Sequence, residues 1–189
     1  LEKLTNSMEF VGLENANSGK ESSIISAALK SFIQIKNNVY LNPSDKIISK
    51  DSKSMKCDCF LSATQKRNRE LGCTSSCINR LLYIECSNDC QCGKFCDNKY
   101  FQRSKNNSIS LFYAGVKGIG IRAEVDMPES SFIMEYVGEV FNAKMVKRRS
   151  IEYRREGISH VYFMMLHSNL RIDATRKGNI SRFLNHSCN

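Results

Sequence analysis

Eight of the nine cysteines in this chain, Cys57, Cys59, Cys73, Cys77, Cys86, Cys90, Cys92 and Cys96, fall within one short segment, and no other feature constrains the fold as much. In a secreted chain such a block would be a disulfide framework. Leu1–Phe10 has neither a basic n-region nor an apolar h-region, so the expected compartment is reducing, where thiolates meet zinc instead. Zn²⁺ takes four sulfurs at about 2.3 Å in a tetrahedron, and closely spaced cysteines let one turn supply two of them. The pairs Cys57/Cys59, Cys73/Cys77 and Cys86/Cys90, followed by Cys96, make one ligand too few for two independent four-cysteine sites. Either one thiolate bridges both metals or Cys92 completes the count, and spacing leaves both options open. The segment has little apolar material, so metal binding is expected to supply most of its folding free energy.

The rest of the composition narrows the function classes. With 189 residues, 41% of them hydrophobic and 25% charged, the chain can bury one or two cores, and global disorder is disfavoured. No stretch reaches the roughly 18 apolar residues of a membrane span. The reading is a soluble, unsecreted protein. A formal charge of +9 favours an acidic partner such as nucleic acid or chromatin.

Four regions succeed one another along the chain. Residues 1 to about 50 are polar apart from Ser22 to Tyr40, where Ile25, Ala28, Leu29, Phe32 and Ile35 recur near helical spacing and predict one helix, with Pro43 marking a break after it. The cysteine segment is loop-rich, with a short helix expected near Ile78 to Ile84, and ends in an aromatic pair, Tyr100-Phe101, suited to dock it onto the region C-terminal to it. From Ile109 the texture is β: Ser108 to Tyr113, Gly120 to Val125, Phe132 to Val140, Val161 to Leu166 and Leu170 to Asp173 are rich in β-branched and aromatic residues. Between them Asn142 can cap a helix through Glu156, with Ala143, Val146 and Tyr153 on one side and Lys147, Arg148, Arg149, Arg154 and Arg155 largely outside.

Chemistry concentrates at three points of the β region. Lys117-Gly118-Ile119-Gly120 is a turn where missing side chains admit a ligand to the backbone. Glu135-Tyr136-Val137-Gly138-Glu139 places carboxylates and a tyrosine on one strand and its exit. Gly178 to Asn189 packs Arg182, Asn185, His186, Ser187 and Cys188 beside apolar Phe183 and Leu184. A zinc protease is disfavoured, because no H-E-x-x-H occurs and His160, His167 and His186 are scattered.

Taken in order, Lys117-Gly118-Ile119-Gly120, Glu135-Tyr136-Val137-Gly138-Glu139, Tyr162-Phe163-Met164, Ile172-Asp173-Ala174-Thr175 and Arg182-Phe183-Leu184-Asn185-His186-Ser187-Cys188 resemble the SET domain of histone lysine methyltransferases. The cysteine block, with Ile78-Asn79-Arg80, Ile84-Glu85-Cys86 and Phe101-Gln102, resembles the AWS (associated-with-SET) module that precedes it. Among the groups of this family, the pattern is most similar to the Set-two type, which methylates lysine 36 of histone H3.

The resemblance implies a mostly β fold with short helices, a β-clip-like set of small sheets behind a zinc-stabilised module. The domains would be an N-terminal segment over 1–52, the AWS module over 53–104 and the SET portion over 105–189. Cys73 would bridge two zincs, one held by Cys57, Cys59, Cys73 and Cys77, the other by Cys73, Cys86, Cys90 and Cys96, with Cys92 spare. The resemblance also implies that S-adenosylmethionine is held by Lys117, Ile119, Gly120, Val161, Tyr162, Arg182, Phe183, Asn185 and His186, while Tyr162, Tyr136 and Arg182 serve catalysis. Ile119 stands where close relatives often carry an aromatic residue, and Val161 departs in the same way. SET domains normally continue past this point with a catalytic tyrosine and a cysteine cluster that binds a third zinc with Cys188, so the 189 residues alone are expected to be inactive.

The implied partners are the histone H3 tail and the nucleosome, with nucleosomal DNA against the basic surface, in a nuclear, chromatin-bound monomer. The competing class is a zinc-dependent chromatin-binding module with a degenerate SET portion, or a methyltransferase for another histone lysine. Retention of Tyr136, Tyr162, Arg182, Asn185 and His186 favours the enzyme, and residues 119 and 161 are the case against it.

Overall fold

The computed structural model describes residues 18–50, 56–104 and 107–185. Helix α1 (Ser18–Lys30) comes first, ahead of two short strands, β1 (Ile33–Gln34) and β2 (Val39–Tyr40). The single helix predicted through Tyr40 therefore stops ten residues early. Ser31 closes it, donating from both its backbone N–H and its hydroxyl to the carbonyl of Ala28. Beyond Ser31 the backbone finds partners in the distant sheet: the N–H groups of Ile33 and Ile35 donate to the carbonyls of Arg176 and Gly178, both at 2.8 Å. Pro43 begins a second helix, α2 (Pro43–Lys50), rather than merely ending the first. Asn42 accepts from the N–H of Ser44 at 3.1 Å, and proline at the first helical position forfeits only an N–H that has no intrahelical partner.

The cysteine segment holds α3 (Ala63–Arg67), opened by a reciprocal Ser62/Gln65 capping box, and the four-residue α4 (Ile78–Leu81). It docks as the aromatic pair suggested. Tyr100 stacks on Phe132 with ring centroids 5.1 Å apart, and Phe101 meets the same ring edge-on at 5.0 Å.

The remaining residues form small sheets. Strands β3 (Ile109–Tyr113) and β4 (Ile119–Ala123) make an antiparallel hairpin. A four-stranded sheet has the order β2-β5-β7-β6, from β5 (Glu139–Asn142), β6 (Phe163–His167) and β7 (Leu170–Asp173), with β2 joining β5 in parallel. Strand β8 (Lys177–Gly178) pairs in parallel with β1. Of the stretch Phe132 to Val140, only its last two residues lie in a strand, because its backbone bonds go elsewhere. The Ile133 carbonyl accepts from the Asn107 N–H, the Glu135 carbonyl from the Asn179 amide, and the Gly138 N–H donates to Asn38 Oδ1.

Helix α5 (Val146–Arg155) follows a short 3₁₀ turn that Asn142 caps. Its inner face differs from the pattern reading, because Arg149 points inward with Tyr153. Arg149 Nη2 meets Glu139 Oε2 at 2.6 Å and its Nε meets Asp173 Oδ2 at 2.9 Å, while the Tyr153 hydroxyl donates to the same carboxylate at 2.6 Å. Glu139 and Asp173 face each other across the β5–β7 ladder, so two buried carboxylates need a cation between them. Arg149 supplies it, and Lys177 Nζ adds a second contact to Glu139 at 2.9 Å.

Candidate functional site

The cysteines that clustered in sequence also cluster in space. The sulfurs of Cys57, Cys73, Cys77 and Cys86 lie within 4.8 Å of one another, as do those of Cys73, Cys86, Cys90 and Cys96. Within these groups Cys73–Cys90 is 3.5 Å, Cys57–Cys73 3.7 Å, and Cys57–Cys86 and Cys77–Cys86 are each 3.8 Å. Four sulfurs around a tetrahedral Zn²⁺ stand about 3.8 Å apart, whereas a disulfide requires about 2.05 Å. The donor set therefore fits zinc, and the eight described cysteines are free thiols. One detail departs from the expected partition. Cys86 completes the tetrad with Cys57, Cys73 and Cys77, and the half-buried Cys59 sits at its rim, its thiol interacting with Cys77, Cys73 and Cys57.

The surroundings suit thiolates. Burial pushes the Cys57 and Cys96 thiols up to about 12 and drives Cys73 upward too, so without a cation these three would hold their protons. Burial also pushes Cys86 up, but the side-chain amides of Asn98 and Asn79, 3.5 and 3.6 Å from its sulfur, outweigh it and bring the thiol down to about 7. Such donors orient and stabilise a metal-bound sulfur. Cys73, which like Cys86 belongs to both tetrads, sits in left-handed backbone (φ 55°), and its carbonyl accepts from Arg80 Nε at 3.0 Å. Arg80 also pairs with Asp97 at 2.8 Å, while Glu85 takes the N–H groups of Phe101 and Gln102. The polar residues of the AWS-like motifs thus fasten the module around its sulfurs. Cys92 is buried, 3.7 Å from Cys73, and its thiol donates to the Cys59 carbonyl, a role that needs no metal.

A second site forms where the 3₁₀ turn Ile180–Phe183 meets β4 and the residues ahead of β6. Asn179 caps this turn, accepting from the Ser181 N–H at 3.0 Å. Arg182 and Phe183 are buried there. The Arg182 guanidinium lies 3.8 Å from the centroid of the Tyr162 ring, and Phe183 meets the same ring edge-on at 6.5 Å. Tyr162 is fixed through its backbone: its N–H donates to Thr175 Oγ1 at 3.0 Å and its carbonyl accepts from the Ala174 N–H at 2.9 Å. The Tyr136 hydroxyl reaches that carbonyl at 3.4 Å, and burial raises Tyr136 to about 12, keeping it a neutral donor at physiological pH.

Thr175 is the hub of this arrangement. Besides holding Tyr162, its carbonyl accepts from Arg182 Nη1 at 3.1 Å and its N–H donates to Asp173 Oδ1 at 2.8 Å. Arg182 Nε is buried with no hydrogen-bond partner among the described residues, which suits a polar ligand at this place.

The glycine turn lies next to this cluster. Gly118 has φ 81°, a conformation that glycine adopts without strain, and open space surrounds its Cα; Gly120 has the Phe112 ring where a Cβ would stand. Lys117 is exposed, and Ile119 packs with Phe183 in one apolar cluster. The structure therefore brings together Ile119, Gly120, Tyr136, Tyr162, Arg182 and Phe183, with Lys117 at the rim. Val161 and Asn185 are exposed, and His186 and Cys188 lie outside the described residues. Phe32 joins the site with no sequence signal that chemistry would flag, whereas Thr175 stands in the Ile172 to Thr175 motif and Asn179 in the Gly178 to Asn189 run, and only tertiary contacts reveal what the two do.

Small sheets around a tyrosine–arginine stack, behind a cysteine module able to hold zinc, define a SET domain preceded by an AWS domain, and the chain belongs to the SET-domain family. Residues 68–104 match the AWS domain and residues 118–189 the SET domain. Among individual proteins, the chain is similar to histone-lysine N-methyltransferase SETD2 of Homo sapiens, at 45% identity over 83% of this chain and 6% of that protein. It is 40% identical to histone-lysine N-methyltransferase Set2 of Drosophila melanogaster over 95% of the chain and 8% of the relative. A third relative, the H3 lysine-36 specific histone-lysine N-methyltransferase of Chaetomium globosum, is 44% identical over 75% of the chain and 16% of its own length. The chain thus spans under a fifth of each of these relatives. A solved structure of ctPRC2 in complex with H3K27me3 and H3K27M aligns with a TM-score of 0.56 at 26% identity, covering 70% of this chain and 18% of that one.

Proposed function

We propose that this chain is the catalytic portion of a histone-lysine N-methyltransferase that transfers a methyl group from S-adenosylmethionine to lysine 36 of histone H3. The observation that carries the reading is the stack of Tyr162 on Arg182, locked by Thr175 and joined by the Tyr136 hydroxyl, beside the Gly118–Gly120 turn. S-adenosylmethionine would supply an electrophilic methyl group on a sulfonium. Lys117, Ile119, Gly120, Val161, Tyr162, Arg182, Phe183, Asn185 and His186 would hold it, the glycine turn through backbone groups.

The chain's own task is to align the substrate amine and deliver it neutral. Half-buried tyrosines do both, because an apolar channel disfavours an ammonium and lowers its pKa, while a hydroxyl such as that of Tyr136 can orient the nitrogen lone pair. Two zincs on Cys57, Cys59, Cys73, Cys77, Cys86, Cys90 and Cys96 would staple the module, and Cys188 would join further cysteines around a third. The outer face of α5, with Lys147, Arg148, Arg154 and Arg155 exposed, suits nucleosomal DNA. On this reading the protein works on chromatin in the nucleus. Transfer of radiolabelled methyl from the cofactor to recombinant nucleosomes by the full-length protein tests the reading. Incorporation lost on Tyr162→Ala is expected; nucleosome binding with no incorporation would favour a non-catalytic module.

A further inference from the structure

Phe32 lies ahead of both matched domains, yet it is buried against the centre of the site. Its ring centroid is 4.3 Å from the Arg182 guanidinium carbon, and its edge meets Phe183 at 6.0 Å. Among the described residues the Arg182 guanidinium has no carboxylate partner and one hydrogen bond, to the Thr175 carbonyl, so aromatic faces supply much of what holds this buried cation. Phe32 cannot drift, because the chain is fastened on either side of it. Before it, Ile25, Ala28 and Leu29 of α1 pack with Leu111, Ile119, Ile121 and Ile180, and Glu21 Oε1 accepts from the Tyr113 N–H at 2.9 Å. After it, β1 pairs with β8, just ahead of the turn that carries Arg182.

We infer that Phe32 is a positioning residue for the cofactor site: it presses the Arg182 guanidinium toward Tyr162, so the segment ahead of the cysteine module is a working wall of the pocket. The inference rests on the methyltransferase reading, since it takes Arg182 and Tyr162 as the residues that meet cofactor and substrate lysine. It also gives α1 a purpose, which is to hold Phe32 in register with the Ile180–Phe183 turn. A guanidinium held on two rings keeps its plane with few hydrogen bonds, leaving Nε available to a ligand.

The test uses the zinc-loaded full-length protein and S-adenosylhomocysteine, the methyl-depleted cofactor, in titration calorimetry. Phe32→Leu keeps an apolar side chain but removes the aromatic face, and is expected to weaken binding by roughly fivefold to thirtyfold, the range of a desolvated cation–π contact. Replacing Phe32 with phenylalanines carrying one, two and three ring fluorines preserves shape while draining the ring's negative face, so affinity is expected to fall stepwise with fluorine count at an unchanged melting temperature. A purely structural Phe32 would give a flat fluorine series, and that result overturns the proposal even if Phe32→Leu fails to fold. Failure of the unaltered protein to bind S-adenosylhomocysteine would overturn the functional reading itself, a different outcome from a flat series.

Discussion

Arg149→Met is the most informative perturbation of the fold, because it removes the one guanidinium between two buried carboxylates. Asp173 is fully buried and Glu139 nearly so, and Arg149 sits 2.6 Å from Glu139 and 2.8 Å from Asp173. Methionine fills much of the same space, so packing loss is small and the change isolates the charge. Leaving a buried charge uncompensated typically costs about 3–5 kcal/mol. At roughly 2–4 °C per kcal/mol for a chain of this size, the melting temperature should fall by about 6–20 °C. Lys147→Met, on the exposed face of the same helix, should stay within about 0.5 kcal/mol of the unaltered protein. Adding Glu139→Gln to Arg149→Met should recover part of the loss, because one uncompensated carboxylate disappears, with a coupling of about 0.5–3 kcal/mol. Urea and thermal denaturation of these three variants, of Glu139→Gln alone and of the unaltered protein measure this. If Arg149→Met and Lys147→Met prove equally mild, the ion cluster does not hold α5 to the sheet and the reasoning fails.

Three other outcomes are expected from the same geometry. A strong zinc chelator should unfold residues 56–104, since structural zinc contributes about 10–16 kcal/mol in small modules, and proteolysis confined to that span by mass mapping would show it. Thr175→Val leaves the Tyr162 N–H without its acceptor and should lower kcat for methyl transfer while Thr175→Ser stays near the unaltered rate, as steady-state kinetics on nucleosomes would record. Burial pushes the Glu139 carboxyl up, but hydrogen bonds and charge from Lys177 and Arg149 hold it below its ordinary value. Its stabilising contribution is therefore complete above the unfolded value of about 4.3 and is lost as pH falls through the lower folded value. Urea midpoints from about pH 6 to pH 3 should decline less steeply in Glu139→Gln.

Local pattern carried much of this molecule. Cysteine density announced a cluster able to hold metal, and β7 was legible residue for residue, because four residues between turn signals need no tertiary help. Long-range contacts decided what pattern could not. Arg149 looks solvent-facing on a basic helix, and Glu139 and Asp173, 10 and 24 positions away, draw it inward. Residues 32–40 carry apolar spacing that extends α1 on paper, yet their N–H groups pair with carbonyls more than 90 residues later. Spacing likewise leaves the grouping of sulfurs open, since neighbours in sequence do not dictate which of them share a tetrahedron, and Cys86 reaches Cys57, Cys73 and Cys77 from the far side of α4. Phe32, and the role of Thr175 within its motif, stayed hidden for a related reason: an apolar residue after a helix and a threonine after a strand are ordinary until the fold places Arg182 and Tyr162 beside them.

Mass spectrometry of histone H3 after incubation of recombinant nucleosomes with the full-length protein and S-adenosylmethionine puts the whole account at risk in one measurement. The structure and its relatives lead us to expect mass steps of one methyl group on the peptide containing lysine 36, abolished by Tyr162→Ala and by zinc removal. Unmodified histone from a zinc-loaded protein that binds nucleosomes, or methylation confined to a different lysine, would contradict it.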